Sequence, residues 1–233
     1  MKAIILAAGK GTRLRPVTLT TPKPLVPVAN RALIAYALDM LKAGGMSDVG
    51  IVVNSMESPL VERIGDGGWL GVNVSYIVQE EQLGLAHAVK LSRDFVGDEA
   101  FAMFLGDNIF QDKMGDMMRN FEASDYEAAL ALGEVPDPER FGVAIVEDGR
   151  ISQLLEKPNP APSNLAIAGV YMFRASIFEA IDKITPSGRG ELEITDAIQE
   201  LIKSEKSVQP YITEGWWIDA GKPHSIIQAN QLV

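Results

Sequence analysis

Apolar segments of strand length alternate with segments of helical periodicity through the first half of the sequence, and this alternation limits the fold more than any other feature. Short apolar runs predict four buried strands, at Lys2–Ala7, Val49–Val53, Val72–Val78 and Ala100–Leu105. Two intervening segments, Ala32–Ala43 and Gly84–Asp94, predict helices, and Gly44-Gly45 ends the first of them. Strands that alternate with helices are typical of a doubly wound, mainly parallel sheet.

The second half of the sequence is richer in strands. The predicted strands there are Glu127–Val135, Phe141–Glu147, Arg150–Glu156, Ala166–Phe173 and Tyr211–Asp219, and the predicted helices are Ser176–Lys183, Ile194–Ser204 and His224–Leu232. Asp148-Gly149 predicts a tight hairpin between two of these strands. Because no repeat, low-complexity tract or linker interrupts the chain, we expect residues 1–233 to form a single α/β domain. Its sheet should be mixed, mostly parallel and flanked by helices on both sides.

The composition excludes several classes of site and partner. The chain has no cysteine, which rules out disulfides, thiolate nucleophiles and cysteine-based zinc sites. Its net charge of −10 argues against binding to the phosphate backbone of DNA or RNA. The apolar run Ala3–Ala8 is short for a signal peptide, and no stretch approaches the length of a membrane span. We therefore expect a cytoplasmic protein that binds neither nucleic acid nor membrane.

The basic residues are concentrated where the acidic ones are missing. Residues 1–38 hold six lysines and arginines and no aspartate or glutamate, although the whole chain has 31 acidic residues. The other 195 residues therefore hold 15 basic and 31 acidic residues. A solvated basic surface would normally mix both signs, so this segment predicts a local site for a small polyanion.

A glycine-rich loop follows the first predicted strand inside this basic segment. Gly9 and Gly11 let backbone N–H groups approach an anion that a Cβ would hold off. Thr12 adds a hydroxyl, Arg13 a guanidinium suited to phosphate oxygens, and Lys23 a second cation between prolines. The loop matches neither the Walker pattern nor the dinucleotide-binding fingerprint. The sequence therefore predicts a phosphate site of another kind.

The run Leu6–Pro16 resembles the signature of the sugar-1-phosphate nucleotidyltransferases, and the chain is most similar to the glucose-1-phosphate thymidylyltransferases among them. Supporting segments occur in the family's order along nearly the whole chain, at 79–89, 105–108, 135–144, 156–158, 169–171, 189–196 and 217–221. Each segment is weak alone, whereas the ordered set is specific. The resemblance implies a Rossmann-like (GT-A-like) fold, the substrates dTTP and glucose 1-phosphate, the product pyrophosphate, and Mg²⁺ as cofactor.

The resemblance also assigns roles to individual residues. The nucleotide-binding residues that it implies are Leu6, Ala8, Gly9, Gly11, Thr12, Arg13, Gln79, Gly84 and Asp107. Those for the sugar phosphate are Gly142, Glu156, Lys157, Val170 and Arg189, and those for the metal are Asp107 and Asp219. Arg13, Lys23 and Lys157 are the implied catalytic residues. Trp217 is expected to pack beneath the metal aspartate, and His87 is interpreted as a core residue without a catalytic role.

Two alternatives stay open at this point. The chain has Pro24 and Ala8 where thymidylyltransferases often have glutamine and glycine. UTP could therefore replace dTTP, since uracil and thymine differ by one methyl group, or another sugar 1-phosphate could be the acceptor. A catalytically silent nucleotide-sugar sensor or regulatory subunit is a rival of a different class. The presence of Arg13, Lys23, Asp107 and Asp219 argues against that rival. A homo-oligomer is also left open.

Overall fold

The computed structural model describes all 233 residues. Its strands are β1 Lys2–Leu6, β2 Pro27–Val28, β3 Arg31–Ala32, β4 Asp48–Val53, β5 Asn73–Val78, β6 Phe101–Leu105, β7 Asn108–Phe110, β8 Ala128–Glu134, β9 Gly142–Glu147, β10 Arg150–Glu156, β11 Leu165–Phe173, β12 Val208–Ile212 and β13 Trp217–Asp219. Its helices are α1 Leu33–Ala43, α2 Pro59–Ile64, α3 Leu85–Leu91, α4 Arg93–Val96, α5 Gly115–Glu122, α6 Ser176–Lys183, α7 Ile194–Lys203 and α8 Pro223–Leu232. None of these helices is long and apolar enough to cross a membrane.

Nine strands form one sheet in the order β10-β9-β11-β6-β1-β4-β5, with β8 paired to β11 and β12 paired to β8. The pairings place seven of the nine strands in one direction, and only β10 and β11 run the other way. The predicted mixed, mostly parallel sheet is therefore confirmed. The β9–β10 hairpin is also confirmed, and Asp148 and Gly149 both have the positive φ that its tight turn needs.

Alternate residues of each buried strand point to opposite sides of the sheet, so both of its faces are apolar. Helices cover both faces. On one side, Ile5 of β1 belongs to an apolar cluster with residues of α1 and α5. On the other side, Ile4 belongs to a cluster with residues of α3, α6 and α7. Sheets of this kind bind ligands at the carboxyl ends of their central parallel strands.

Several boundaries differ from the sequence-based expectation. The helix predicted over residues 84–94 is divided into α3 and α4 at Ser92, whose hydroxyl donates to the carbonyl of Ala88 at 2.9 Å. The strand predicted over residues 211–219 is two strands in different sheets, β12 and β13. The carboxylate of Asp112 accepts the backbone N–H groups of Glu214 and Gly215, at 2.9 and 3.0 Å, and so holds the chain in a turn between them.

Several short elements were not predicted from the sequence: α2, α5, β2, β3 and β7. Helix α2 has six residues and α5 has eight, and the three-residue β7 begins at Asn108, shortly after β6 ends at Leu105. The loop of residues 8–30 contains three 3₁₀ turns and the strand β2, which pairs with β3. Elements this short give too few periodic positions to be distinguished from loop.

Candidate active site

A cleft of about 380 Å³ lies at the carboxyl ends of the central strands. Its volume falls within the usual range for small-molecule sites. Of the sixteen site residues that the resemblance implies, ten line this cleft: Leu6, Ala8, Gly9, Arg13, Lys23, Gln79, Gly84, Asp107, Lys157 and Asp219. Six do not line it: Gly11, Thr12, Gly142, Glu156, Val170 and Arg189. The basic loop, the two aspartates and Gln79 thus line the same cleft.

The two glycines of the basic loop have different surroundings. Gly9 lines the cleft, and a Cβ there would meet no atom within 4 Å. Gly11 has a φ of +62°, and a Cβ there would lie 2.9 Å from the methyl of Thr18 and 3.1 Å from Cβ of Lys23. Gly11 therefore shapes the loop from behind rather than facing the cleft. Thr12 is exposed outside the cleft wall, whereas the exposed Arg13 is part of it.

The two aspartates come together through a small antiparallel pair of strands. Strand β13 pairs with β7, and the backbone N–H of Ala220 donates to the carbonyl of Asp107 at 2.9 Å. Asp107 stands at the end of β6 and Asp219 at the end of β13, so two residues far apart in sequence share one edge of the cleft. The ammonium of Lys23 forms an ion pair with Oδ2 of Asp107.

Asp219 is in an unusual electrostatic position. Burial raises the pKa of its carboxyl above the ordinary value, and the charge of Asp107 raises it further, while Lys23 and Arg13 act in the opposite direction. Its Oδ1 atom is buried and has no hydrogen-bond partner. A Cβ at residue 221 would lie 2.8 Å from that oxygen, so a glycine at this position avoids a close contact with it. An unpartnered carboxylate oxygen beside a second carboxylate is a suitable place for a hard divalent cation.

A relay that the sequence analysis missed orients Asp107 from behind. The indole N–H of Trp217 donates to Oδ1 of Asn108 at 2.6 Å, and the amide of Asn108 donates to Oδ1 of Asp107 at 2.8 Å. Gly169, with a φ of +79°, makes room for it, because a Cβ there would lie 2.9 Å from the amide nitrogen of Asn108. Asn108 lies in one of the family-like segments, 105–108, but nothing in the sequence indicated that the side chain of residue 217 would reach it.

The opposite end of the cleft is built around Gln79, which is 5% exposed at the end of β5. Its amide nitrogen lies 3.2 Å from the carbonyl of Gly84 and 3.1 Å from Nδ1 of His87. Gln82, also missed from the sequence, donates to the carbonyl of Ala8 at 2.9 Å and so joins the two walls of the cleft.

The residues implied for the sugar form a cluster next to the cleft. Arg189 donates to Oε1 of Glu156 at 2.9 Å and to Oε1 of Glu193 at 2.8 Å. Thr195 donates to the other oxygen of Glu156 at 2.7 Å. A Cβ at Gly142 would lie 3.3 Å from that oxygen, so the glycine leaves room for the carboxylate. This cluster holds the carboxylate in a fixed orientation.

Two further residues that the resemblance implies for the sugar phosphate are Val170 and Lys157. Val170 is fully buried in the core, main chain included, and pairs with Phe104 inside the sheet, so the structure does not place it where a ligand could touch it. Lys157 lines the cleft with a φ of +45°, which is strained for a residue with a Cβ. Its backbone N–H donates to the carbonyl of Phe141 at 3.0 Å and holds that conformation. Strain of this kind at a cleft residue is typical of functional positions.

Comparison with known proteins finds similar sequences over nearly the whole chain. The Nucleotidyl transferase family model matches residues 2–233. A glucose-1-phosphate thymidylyltransferase of Streptomyces griseus is 48% identical over 234 residues, which are 100% of this chain and 66% of that protein. The UTP–glucose-1-phosphate uridylyltransferase AglF of Haloferax volcanii is 38% identical over 99% of this chain and 96% of its own length. Thus the chain spans about two thirds of the first relative and nearly all of the second.

A solved structure is similar over the whole chain as well. The crystal structure of a candidate glucose-1-phosphate thymidylyltransferase of Bacillus anthracis, in complex with sucrose, superposes with a TM-score of 0.92. It is 38% identical, and the match covers 100% of this chain and 94% of that one. The fold is therefore shared with a protein of this class over the whole chain.

Proposed function

The chain belongs to the nucleotidyl transferase family, and from this premise we propose that it transfers a thymidylyl group from dTTP to glucose 1-phosphate with Mg²⁺, giving dTDP-glucose and pyrophosphate. We further propose that residues 1–233 are one nucleotidyltransferase domain and that it works in the cytoplasm. The single observation that carries the proposal is the edge of the cleft where Asp107 and Asp219 meet Lys23 and Arg13.

Asp107 and Asp219 would hold the metal ion. Mg²⁺ usually takes one or two carboxylates and completes its shell with phosphate oxygens and water, so this pair is a sufficient protein contribution. The unpartnered, buried Oδ1 of Asp219 supports the assignment, because a buried oxygen without a donor costs free energy unless a ligand satisfies it. When bound, the ion would neutralise charge on the reacting phosphates.

The reaction needs positioning and charge neutralisation rather than a general base. A phosphate oxygen of glucose 1-phosphate is already ionised at neutral pH and would attack the α-phosphorus of the nucleotide. The bond between the α-phosphorus and the bridging oxygen then breaks, and pyrophosphate leaves with the electron pair. Arg13 would stabilise the leaving pyrophosphate, Lys23 the charge on the α-phosphate, and Lys157 the attacking phosphate. All three side chains line the same cleft.

The cleft and the cluster beside it would recognise the two substrates. Gln79, Gly84 and the small residues of the loop would surround the base and the triphosphate. On the other side, Glu156 would accept hydrogen bonds from sugar hydroxyls, with Arg189 and Thr195 keeping its carboxylate oriented. Gly142, which is only partly buried, would offer a backbone group to the sugar. The ion pair between Lys157 and Glu156, at 3.3 Å, would join the sugar site to the phosphate site.

Pyrophosphate release across five nucleoside triphosphates and several sugar 1-phosphates, each with Mg²⁺, tests the proposal. We expect the highest kcat/KM with dTTP and glucose 1-phosphate. A higher value with UTP would support the uridylyltransferase alternative, which the similarity to AglF favours. Nucleotide binding without pyrophosphate release would support a regulatory protein and contradict the proposal.

A pair of aspartate variants gives the matched control for this test. Asp219→Asn removes a proposed metal ligand and should abolish pyrophosphate release. Asp116→Asn changes an acid on the surface of α5, paired only with Arg119, and should retain the activity. Equal activity in the two variants would show that Asp219 does not hold the metal.

A further inference from the structure

The side-chain amide of Gln79 is held between two groups that can each accept a hydrogen bond. The carbonyl oxygen of Gly84 lies 3.2 Å from Nε2 of Gln79, and Nδ1 of His87 lies 3.1 Å from the same atom. A carbonyl oxygen can only accept, so the amide group that faces Gly84 must be the NH₂ end. The carbonyl of Gly84 therefore fixes the orientation of the Gln79 amide, even though amide nitrogen and oxygen atoms are hard to tell apart by position alone.

The same reasoning fixes the tautomer of the His87 imidazole. With both amide hydrogens directed at acceptors, Nδ1 of His87 must carry a lone pair, and the proton of the neutral ring must be on Nε2. His87 is held in place by its helix, since Ala86 and Ala88 on either side are buried and the N–H of Ala86 donates to the carbonyl of Leu192 at 3.0 Å. The main chain of Gln79 is fixed too, because its N–H donates to Val53 at 2.8 Å.

The atom left over is Oε1 of Gln79, an acceptor on a side chain that lines the cleft. Thymine and uracil carry a donor, the imide N–H, at the ring position where cytosine carries an unprotonated nitrogen. An acceptor fixed in the cleft wall attracts the first two bases and repels the third. Removing a partner from a buried polar group carries the full cost of leaving it unsatisfied, which is how polar sites discriminate strongly.

We propose that His87 is a positioning residue for nucleotide selection: by accepting a hydrogen bond from Gln79, it presents the glutamine's carbonyl oxygen to the base and selects thymine and uracil over cytosine. This role goes beyond the core position that the sequence suggested for His87. It rests on the proposed function, in which Gln79 reads the base.

Two substitutions at this position separate positioning from packing. His87→Leu keeps the bulk and removes the acceptor, whereas His87→Asn retains an acceptor, Oδ1, at the corresponding branch of the side chain. In His87→Leu we expect the KM for dTTP to rise about tenfold and kcat to stay within twofold. The preference for dTTP over CTP should fall about tenfold, the ratio that follows from losing one hydrogen bond. The KM for glucose 1-phosphate should not change.

His87→Asn should recover the nucleotide preference to within threefold of the original protein. His224→Leu, at an exposed position on α8, is the matched control and should leave every parameter unchanged. The proposal is overturned if His87→Leu keeps the original dTTP-to-CTP ratio. It is also overturned if His87→Asn loses the preference as fully as His87→Leu while both melt at the original temperature.

Two measurements keep the test independent of folding and of catalysis. Nitrogen-15 NMR of the unsubstituted protein at neutral pH should show His87 with its proton on Nε2, and a proton on Nδ1 would overturn the proposal. Equilibrium binding of dTTP and CTP with Mg²⁺ and without sugar should show the same preferences as the kinetics. If the protein bound dTTP selectively through His87 yet released no pyrophosphate, the proposed function would fail while this inference stood.

Discussion

Replacing Gly84 by alanine should damage the base end of the cleft far more than the same replacement at Gly97. Gly84 has φ +106° and ψ 172°, and Gly97 has φ +69° and ψ −142°, so neither backbone suits a residue with a side chain. A Cβ at Gly97 would meet no atom within 4 Å. A Cβ at Gly84 would lie 2.7 Å from the backbone nitrogen of Leu192 and nearer still to its carbonyl oxygen. The two variants share the backbone strain, and only one adds a collision.

The size of the difference follows from these contacts. Backbone strain costs about 1–3 kcal/mol at each site. The collision at Gly84 is with main chain that is itself held by two hydrogen bonds, Leu192 N–H to Leu83 at 2.7 Å and Ala86 N–H to Leu192 at 3.0 Å. Relieving it would weaken both bonds, at about 0.5–1.5 kcal/mol each. We therefore expect Gly84→Ala to lose about 2–6 kcal/mol of unfolding free energy, against about 1–3 for Gly97→Ala.

The loss of activity in Gly84→Ala should depend on how far the main chain at the cleft is displaced. Ordinary contact with a Cβ begins at 3.4 Å, so the chain near Gly84 must move by several tenths of an ångström. A misplacement approaching 1 Å in a substrate site can cost about 10²-fold in rate. Pyrophosphate release should thus show kcat/KM for the nucleotide reduced by up to about 10²-fold in Gly84→Ala and nearly unchanged in Gly97→Ala. Thermal melting gives the stability comparison. Equal melting temperatures and equal kcat/KM in the two variants would refute the reasoning.

Three further predictions concern the phosphate end of the cleft. Arg13→Ala should lower kcat by about 10²–10³, as expected for a lost contact to developing charge, and Arg15→Ala, outside the cleft wall, should not; a near-normal turnover number in the first variant would contradict its role. Because the pKa of Asp219 is raised in the folded protein, the stability linked to its protonated form is lost as pH rises above the ordinary aspartate range. Asp219→Asn avoids that loss, so without metal at pH 7 the variant should melt roughly 2–4 °C above the unsubstituted protein, for about 1 kcal/mol. The difference in melting temperature should disappear in acid, which melting curves across pH in EDTA measure. A difference that does not depend on pH would show that the raised pKa is not its cause. Trp217→Phe leaves the oxygen of Asn108 without its donor, which should cost about 1–3 kcal/mol in denaturant unfolding and reduce kcat; unchanged values of both would show that the relay does not orient the neighbouring aspartate.

Local features of the sequence were sufficient for much of the fold. Lys2–Leu6 and Leu33–Ala43 were predicted to within one residue, because a buried strand and an amphipathic helix each impose a periodicity that is visible in the chain itself. The hairpin at Asp148-Gly149 followed from turn chemistry alone. The boundary between β12 and β13 could not be predicted, because it does not depend on a local pattern. It depends on Asp112, a carboxylate about a hundred residues away that captures the backbone of the turn.

The sequence by itself determined the chemistry available: a basic, acid-free loop, two aspartates after apolar segments, and a glutamine in an ordered set of family motifs. Only the tertiary structure decided how those groups meet. It brought Asp219 to Asp107 through the pairing of β13 with β7. It also placed His87 against the amide nitrogen of Gln79, the contact on which the proposed base selection rests. Periodicity reports which side of an element is buried, whereas contacts between distant side chains depend on the register of strands and the packing of helices, which no local pattern encodes.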